Sequence, residues 1–282
     1  MKQILKLTRF NMSIAIAFSA VAGYVFSYGS FTWKSLAVFA GVLLLAGSAT
    51  AINQYQEKDR DALMLRTKDR PLASGRMKVQ TAILLAIIMG IGGLWILYYF
   101  TNLLTALLGL INLLWYNAVY TPLKTRTGFV VIVGAVTGAL PPMMGWTAAG
   151  GILSDPKILF IASFLFLWQI PHFLLLLLKY QDDYRKAGFK SATNTMTEKQ
   201  IKSIVFIWIL GTCFISLAFP LFGLISGKLL ITTIILLNIM LIAFFYKSAY
   251  KSELKSNLGR AFGSLYLYQL SILAILILQA LK

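Results

Sequence analysis

Residues 33–77 read WKSLAVFAGVLLLAGSATAINQYQEKDRDALMLRTKDRPLASGRM, an apolar run followed by a heavily charged stretch. A membrane-crossing helix needs about 20 largely apolar residues, and residues 33–55 supply one. Four of the nine acidic residues in the chain, Glu57, Asp59, Asp61 and Asp69, stand just beyond it.

The rest of the sequence repeats the first half of that pattern. Apolar residues make up 59% of the 282, charged residues 12%, and the mean hydropathy is +0.77, the composition of a chain that lives mostly in lipid. Nine segments are long and apolar enough to span: roughly 10–28, 33–55, 79–99, 102–120, 128–149, 157–178, 201–224, 229–246 and 261–281. The predicted fold is an all-α integral membrane bundle of about nine transmembrane helices, one domain over 1–282, with the active site on the cytoplasmic side. Residues 1–22 have the basic start and small-residue end of a cleavable signal. Charge sorting uses them instead as a retained first helix.

The net charge of +17 would point to nucleic acid in a soluble protein. Here 22 of the 26 basic residues fall at the N-terminus, in 56–78, 121–127 and 179–200, at Lys202 and in 247–260, all on one side of the membrane. Only Lys34, Lys157, Lys228 and Lys282 lie opposite. By the positive-inside rule the N-terminus is cytoplasmic and, after nine spans, the C-terminus is outside. The excess charge attracts anionic lipid headgroups, and no nucleic-acid partner follows from it. Cys213, alone in an apolar run, reads as a small buried hydrophobe, and a single cysteine excludes a disulfide within the chain.

Acids do not follow from topology, because the positive-inside bias belongs to Lys and Arg. Asn53, Glu57 and Asp61 are four apart, and each such step drifts only ~40° around a helix. Three oxygen-bearing side chains therefore line one face, with Asp59 pointing away. Hard oxygen ligands suit Mg²⁺, which takes one or two carboxylates and completes its shell with water and phosphate. Arg66, Lys68, Arg70 and Arg76 follow, cations suited to phosphate oxygens. A solvated charged loop is the simpler explanation of such a run, but Asn53 still belongs to the apolar helix.

Three more stretches carry polar groups toward the same side. In NAVYTPLKTRTG (117–128), Tyr120 and Lys124 are four apart and Arg126 follows, with Pro122 disturbing the helix. In LFLWQIPHFLLLLLKYQDDYRKAGFK (165–190), Gln169 and the only histidine, His172, sit in an apolar helix beside Trp168, and polar residues at that depth are costly. At its exit Asp182 and Asp183 stand among Lys179, Arg185 and Lys186. GAVTGALPPMMGW (134–146) holds glycines and prolines that pack helices closely or line a cavity.

Taken together these residues resemble the UbiA-type intramembrane prenyltransferases, and within them the branch that farnesylates protohaem IX. Asn53, Glu57 and Asp61 match the superfamily's first metal motif, and Tyr120 and Lys124 match its Tyr-x-x-x-Lys motif. DRDALMLRTKDRPL (59–72), YTPLKTRTG, ALPPMMGW, WQIPHF and DDYRKAG keep the branch's order. Glu57 stands where aspartate is common. The second motif departs from Asp-x-x-x-Asp, with Lys179 four before Asp183 and Ala187 four after, and FKSATNTMTEK (189–199) diverges.

The resemblance implies transfer of a farnesyl group from farnesyl diphosphate to a vinyl group of haem B, with addition of water, giving haem O. It implies Mg²⁺, one or two ions, held by Asn53, Glu57, Asp61, Asp182 and Asp183, and diphosphate held by Arg66, Arg70, Lys124, Arg126, Lys179 and Arg185. Catalysis falls to Asn53, Glu57, Asp61, Tyr120 and Lys124, and the haem side to Trp168, Gln169 and His172. Haem B is a substrate, the location a prokaryotic-type plasma membrane, and the product passes to a haem-modifying enzyme or to terminal-oxidase assembly factors. The closest rival is a relative that prenylates a quinone precursor or a lipid. A transporter is further off, since no acid falls within the nine predicted spans.

Overall fold

The computed structural model describes residues 1–250 and 257–281, with the side chains of 249 and 250 left out; Lys251, Lys255 and Lys282, used in the charge sorting, lie outside the described residues. Nine helices are long and apolar enough to cross a membrane among them: Phe10–Tyr28, Trp33–Leu63, Val79–Phe100, Leu103–Leu123, Val130–Ala148, Pro156–Lys179, Glu198–Phe222, Lys228–Ser248 and Leu258–Ala280. They are called here the first to ninth spans. No strand occurs among the described residues.

Each span packs on its neighbours in sequence, and the ninth returns to the first and the sixth, so the bundle closes. The first span also packs along the fifth, which is where the glycine- and proline-rich stretch belongs. A side chain at Gly23 would strike the Pro142 carbonyl, and one at Gly145 would strike the carbonyl of Ala20. Small residues of this kind let backbones approach inside a membrane. The fifth span stays helical through Pro141 and Pro142, so the stretch serves close packing and makes no break.

Two boundaries differ from the sequence expectation. The second span is 31 residues long, or ~46 Å at 1.5 Å per residue, against a hydrocarbon core of ~30 Å. Its last two turns, beyond the apolar run that ends at 55, continue as helix past the predicted span. The helix stops where Met64 turns extended and the Thr67 hydroxyl donates to the Asp61 carbonyl at 3.0 Å. The seventh span starts at Glu198 because Thr197 and Gln200 form a reciprocal capping box, a polar start that apolar run length does not reveal.

Hydrogen bonds fix which connections share an end. The Gln54 amide donates to the carbonyls of Lys6 and Leu7, Leu65 and Arg66 bond to Asp183, and Lys190 bonds to the Lys124 carbonyl. The N-terminus and the exits of the second, fourth and sixth spans thus form one charged rim.

Candidate active site

Because the second span continues to Leu63, Asn53, Glu57 and Asp61 stack on one face, 1%, 5% and 0% exposed, while Asp59 points outward. Each of the three meets a partner. The Asn53 amide donates to Thr121 Oγ1 at 3.1 Å, Lys124 Nζ donates to Glu57 Oε1 at 2.9 Å, and Arg70 Nη1 donates to Asp61 Oδ2 at 2.6 Å. The other Asp61 oxygen, Oδ1, is buried without a partner. A buried acceptor left open is costly unless something fills it.

The fourth span reaches this face through a π turn, Trp115–Tyr120. Such turns are rare and frequent at functional sites. Two carbonyls of the wider turn find side-chain donors: Gln56 of the second span donates to that of Asn117 at 3.0 Å and the Thr121 hydroxyl to that of Tyr116 at 2.9 Å; the Trp115 indole ties the turn to the Val133 carbonyl of the fifth span at 2.8 Å. Pro122 follows without ending the helix. Lys124 then folds back, its ammonium 4.7 Å from the Tyr120 ring centre. Burial disfavours that ammonium, but the Glu57 carboxylate together with Tyr120, Tyr116 and Tyr184 outweighs burial, so the pKa of Lys124 lies above the ordinary lysine value.

Segment 64–77 closes the rim. Asp183 takes the Leu65 and Arg66 backbone N–H groups on its two oxygens, at 3.2 and 3.1 Å. The Arg66 guanidinium lies 4.9 Å over the Tyr180 ring, and its Nε is buried without an acceptor. Asp69 pairs with Arg76 on the surface, at 2.9 Å, as local charge balance.

Asp182, Arg126, Lys179 and Arg185 are exposed and do not join the buried cluster; Lys179 lies over the rings of Tyr180 and Phe262. The two carboxylate clusters meet through Asp183 and the backbone of residues 65–66, with no direct carboxylate contact between them.

One residue escaped the sequence reading. Arg9 opens the first span in a left-handed conformation, φ 45°, within electrostatic reach of Tyr116, Arg70, Arg66 and Tyr120. Burial lowers its pKa; Tyr116 opposes the shift, and the charges of Arg70 and Arg66 add to it. Its position directly before an apolar run makes it look like one more topology charge. No feature of residue type separates it from Lys2 and Lys6.

On the sixth span, Trp168 donates its indole N–H to the Leu265 carbonyl of the ninth at 2.9 Å and stacks on His172 at 5.4 Å. Gln169 lies against the fifth span, in space that a side chain on Gly138 would fill. Gly134, one turn away, leaves room for Tyr120 and Phe173, whose rings stack at 6.2 Å. Sequence pattern shows such glycines but not which side chain each admits.

Among the described residues no three His, Cys, Asp or Glu side chains form a ready metal cage. Mg²⁺ does not require one, since it binds one or two carboxylates and fills its remaining positions with water and phosphate. The open Asp61 oxygen, on the same face as Glu57 and Asn53, fits that demand, and cations stand nearby: Arg70 on the other Asp61 oxygen, Lys124 on Glu57 one turn away, and Arg9 within electrostatic reach of Arg70 and Arg66. The arrangement suits a metal-bound polyanion at the mouth of an apolar bundle.

Known proteins resemble the chain in sequence and in fold. The chain is 38% identical over 231 residues to a protoheme IX farnesyltransferase of Christiangramia forsetii, covering 81% of this chain and 75% of the relative. It is 37% identical over 272 residues to that of Cytophaga hutchinsonii, covering 93% and 92%. The fold matches a solved digeranylgeranylglyceryl phosphate synthase structure with TM-score 0.80 at 19% identity, over 100% of this chain and 98% of the other. It also matches a UbiA homolog from Archaeoglobus fulgidus bound to GPP and Mg²⁺, with TM-score 0.68 at 16% identity, over 99% and 98%. With the family model for UbiA prenyltransferases matching residues 16–269, nearly the whole bundle is accounted for, and the chain belongs to the UbiA prenyltransferase family.

Proposed function

We propose that the chain transfers the farnesyl group of farnesyl diphosphate to a vinyl group of haem B, with addition of water, giving haem O and diphosphate. The observation that carries the diphosphate half is the unpartnered buried oxygen of Asp61, whose other oxygen holds Arg70, one helical turn from the Glu57–Lys124 pair. The choice of haem rests on the relatives named protoheme IX farnesyltransferase, similar over most of this chain.

Asn53, Glu57 and Asp61 would hold Mg²⁺, which when bound neutralises charge on the leaving diphosphate. Before substrate arrives, Lys124 and Arg70 are tied to Glu57 and Asp61. Substrate phosphate oxygens would offer both cations new partners and leave the two carboxylates free to hold the metal. Arg66, with an open Nε, and Arg9 add donors without giving up a bond to a carboxylate. Charge developing on the diphosphate as the carbon–oxygen bond ionises is thus met by fixed cations at a desolvated rim. Tyr120, beneath Lys124, presents an aromatic face toward the same space, and the apolar interior excludes water from the allylic cation.

Asp183 orders the segment that bears Arg66, and would reach a second ion only by leaving those backbone amides. Asp182, Arg126, Lys179 and Arg185 serve as outer charge on the rim. That rim faces the cytoplasm in this proposal, with the N-terminus inside, the C-terminus outside and basic residues beside anionic lipid; the product then passes to a haem-modifying enzyme or oxidase assembly factor.

Membranes bearing the chain, given Mg²⁺, farnesyl diphosphate and haem B, are expected to make haem O. Product with an aromatic acid or a lipid acceptor and none with haem B would transfer the assignment to the quinone- or lipid-prenylating relatives.

A further inference from the structure

The sixth span carries two polar groups that the diphosphate chemistry does not use. His172 Nδ1 is buried and has no hydrogen-bond partner. Its ring is enclosed by Trp168, stacked at 5.4 Å, by Phe262 and Tyr266 edge-on at 5.6 and 5.2 Å, and by Phe173 at 5.8 Å. The cage is fixed, because the Trp168 indole is bonded to Leu265. Gln169 makes no side-chain hydrogen bond among the described residues and sits in the notch at Gly138. Three residues apart on a helix, Gln169 and His172 lie only ~60° apart around the axis, so both border one sector of the interior.

That sector adjoins the reacting end of the site. Phe173 stacks on Tyr120, the Tyr120 ring lies under Lys124, and Lys124 pairs with Glu57. From the other side Tyr266 touches His172 and feels the charge of Arg9. The imidazole is therefore a few aromatic layers from the place where the allylic carbon–oxygen bond breaks.

If haem is the acceptor, as proposed above, the reaction does not end with the carbon–carbon bond. Diphosphate leaves with the bonding electron pair, and the vinyl π electrons join the terminal vinyl carbon to the farnesyl carbon. The positive charge now rests on the vinyl carbon next to the macrocycle. Loss of a proton from the neighbouring carbon, the one just joined to farnesyl, gives an alkene, whereas attack by water oxygen at the cationic carbon gives the alcohol and releases one proton. An aromatic chamber that excludes bulk water favours the alkene unless one water is held in place.

We propose that Gln169 and His172 hold the water that captures this cation, and that the His172 imidazole takes the proton released. The Gln169 amide offers both a donor and an acceptor to that water, and the open imidazole nitrogen supplies the base. Gly138 is part of the device, since any side chain there displaces the amide.

The full chain in detergent, supplied with Mg²⁺, farnesyl diphosphate and haem B, tests this through the identity of the product. His172→Phe keeps the ring stack and Gln169→Leu keeps the volume. In each, the alcohol should form about 100-fold more slowly, the size of a lost general base. The adduct that does accumulate should be the alkene, lighter by one water, while haem B binding followed by its Soret band stays as in the wild type. Alcohol alone from both variants would overturn the proposal, and so would loss of haem B binding in His172→Phe, which would make the imidazole a haem holder. Should His172→Phe fail to fold, Gln169→Leu decides the same question from a partly exposed side chain. A wild-type chain that farnesylates no haem fails the underlying assignment, and shows it before any variant is compared.

Discussion

Two polar regions lie inside this bundle and are built to opposite standards. Between the seventh, eighth and ninth spans, Ser216, Asn238 and Tyr268 bond one another at 2.6–3.1 Å, and Asn238 and Ser216 also reach the Cys213 carbonyl. None of their side-chain atoms is left over. Elsewhere atoms are left open: Asp61 Oδ1 and Arg66 Nε at the rim, and Gln3 Oε1, Gln54 Oε1, Asn112 Oδ1, Asn117 Oδ1 and His172 Nδ1 besides, are buried and unpartnered. Every such atom among the described residues lies at or before His172. In the closed network the hydrogen bonds fasten helices, and lipid supplies no substitute for one left open. Where a ligand completes the set, valences stay open.

The largest effect that separates the two regions is on activity. Asp61→Asn is expected to lower prenyl transfer by about 1,000-fold, the scale of losing a main electrostatic group. Asp59→Asn, on the outward face, should leave the rate within about twofold, in keeping with a solvated surface substitution. Equal losses from both would undo the one-face geometry.

Next comes the buried pair. Lys124→Met leaves Glu57 buried and alone, and thermal unfolding in detergent should show a loss of about 3 kcal/mol. Adding Glu57→Gln should recover most of that stability while the rate stays low. Recovery of the rate as well would mean that the pair is structural only.

The closed network should behave in the reverse manner. Tyr268→Phe is expected to cost about 1 kcal/mol, the usual worth of a hydrogen bond between helices in a membrane, with the specific rate per folded molecule unchanged. Smallest of all, Arg76→Ala breaks an exposed ion pair with Asp69 and should shift stability by less than about 1 kcal/mol. A large loss of activity from either variant would blur the division between fastening and function.

Much of the bundle was legible before any coordinates, because span length and apolar content are set by the bilayer itself. The face shared by Asn53, Glu57 and Asp61 was legible too, since a spacing of four needs only helix geometry. Arg9 was hidden because a basic residue before a first span has a sufficient explanation in topology. The bonds from Asp183 to the backbone of residues 65 and 66 were hidden because residue type at one end carries no mark of an amide more than 100 positions away. The π turn at Trp115–Tyr120 takes a hydrogen bond from Gln56 of another helix, and no periodicity within the fourth span announces it. Gly138 and Gln169 were each visible, but their fit to one another is a property of the packed helices.

The central claim is that the open valences at the rim are a metal and diphosphate site. Binding of Mn²⁺, a spectroscopic stand-in for Mg²⁺, in the presence of inorganic diphosphate tests it most directly, read by electron paramagnetic resonance on the purified chain. The wild type, Asp59→Asn and Tyr268→Phe should bind with similar affinity, and Asp61→Asn should lose binding. Undiminished binding by Asp61→Asn, or equal loss in Asp59→Asn, would contradict it.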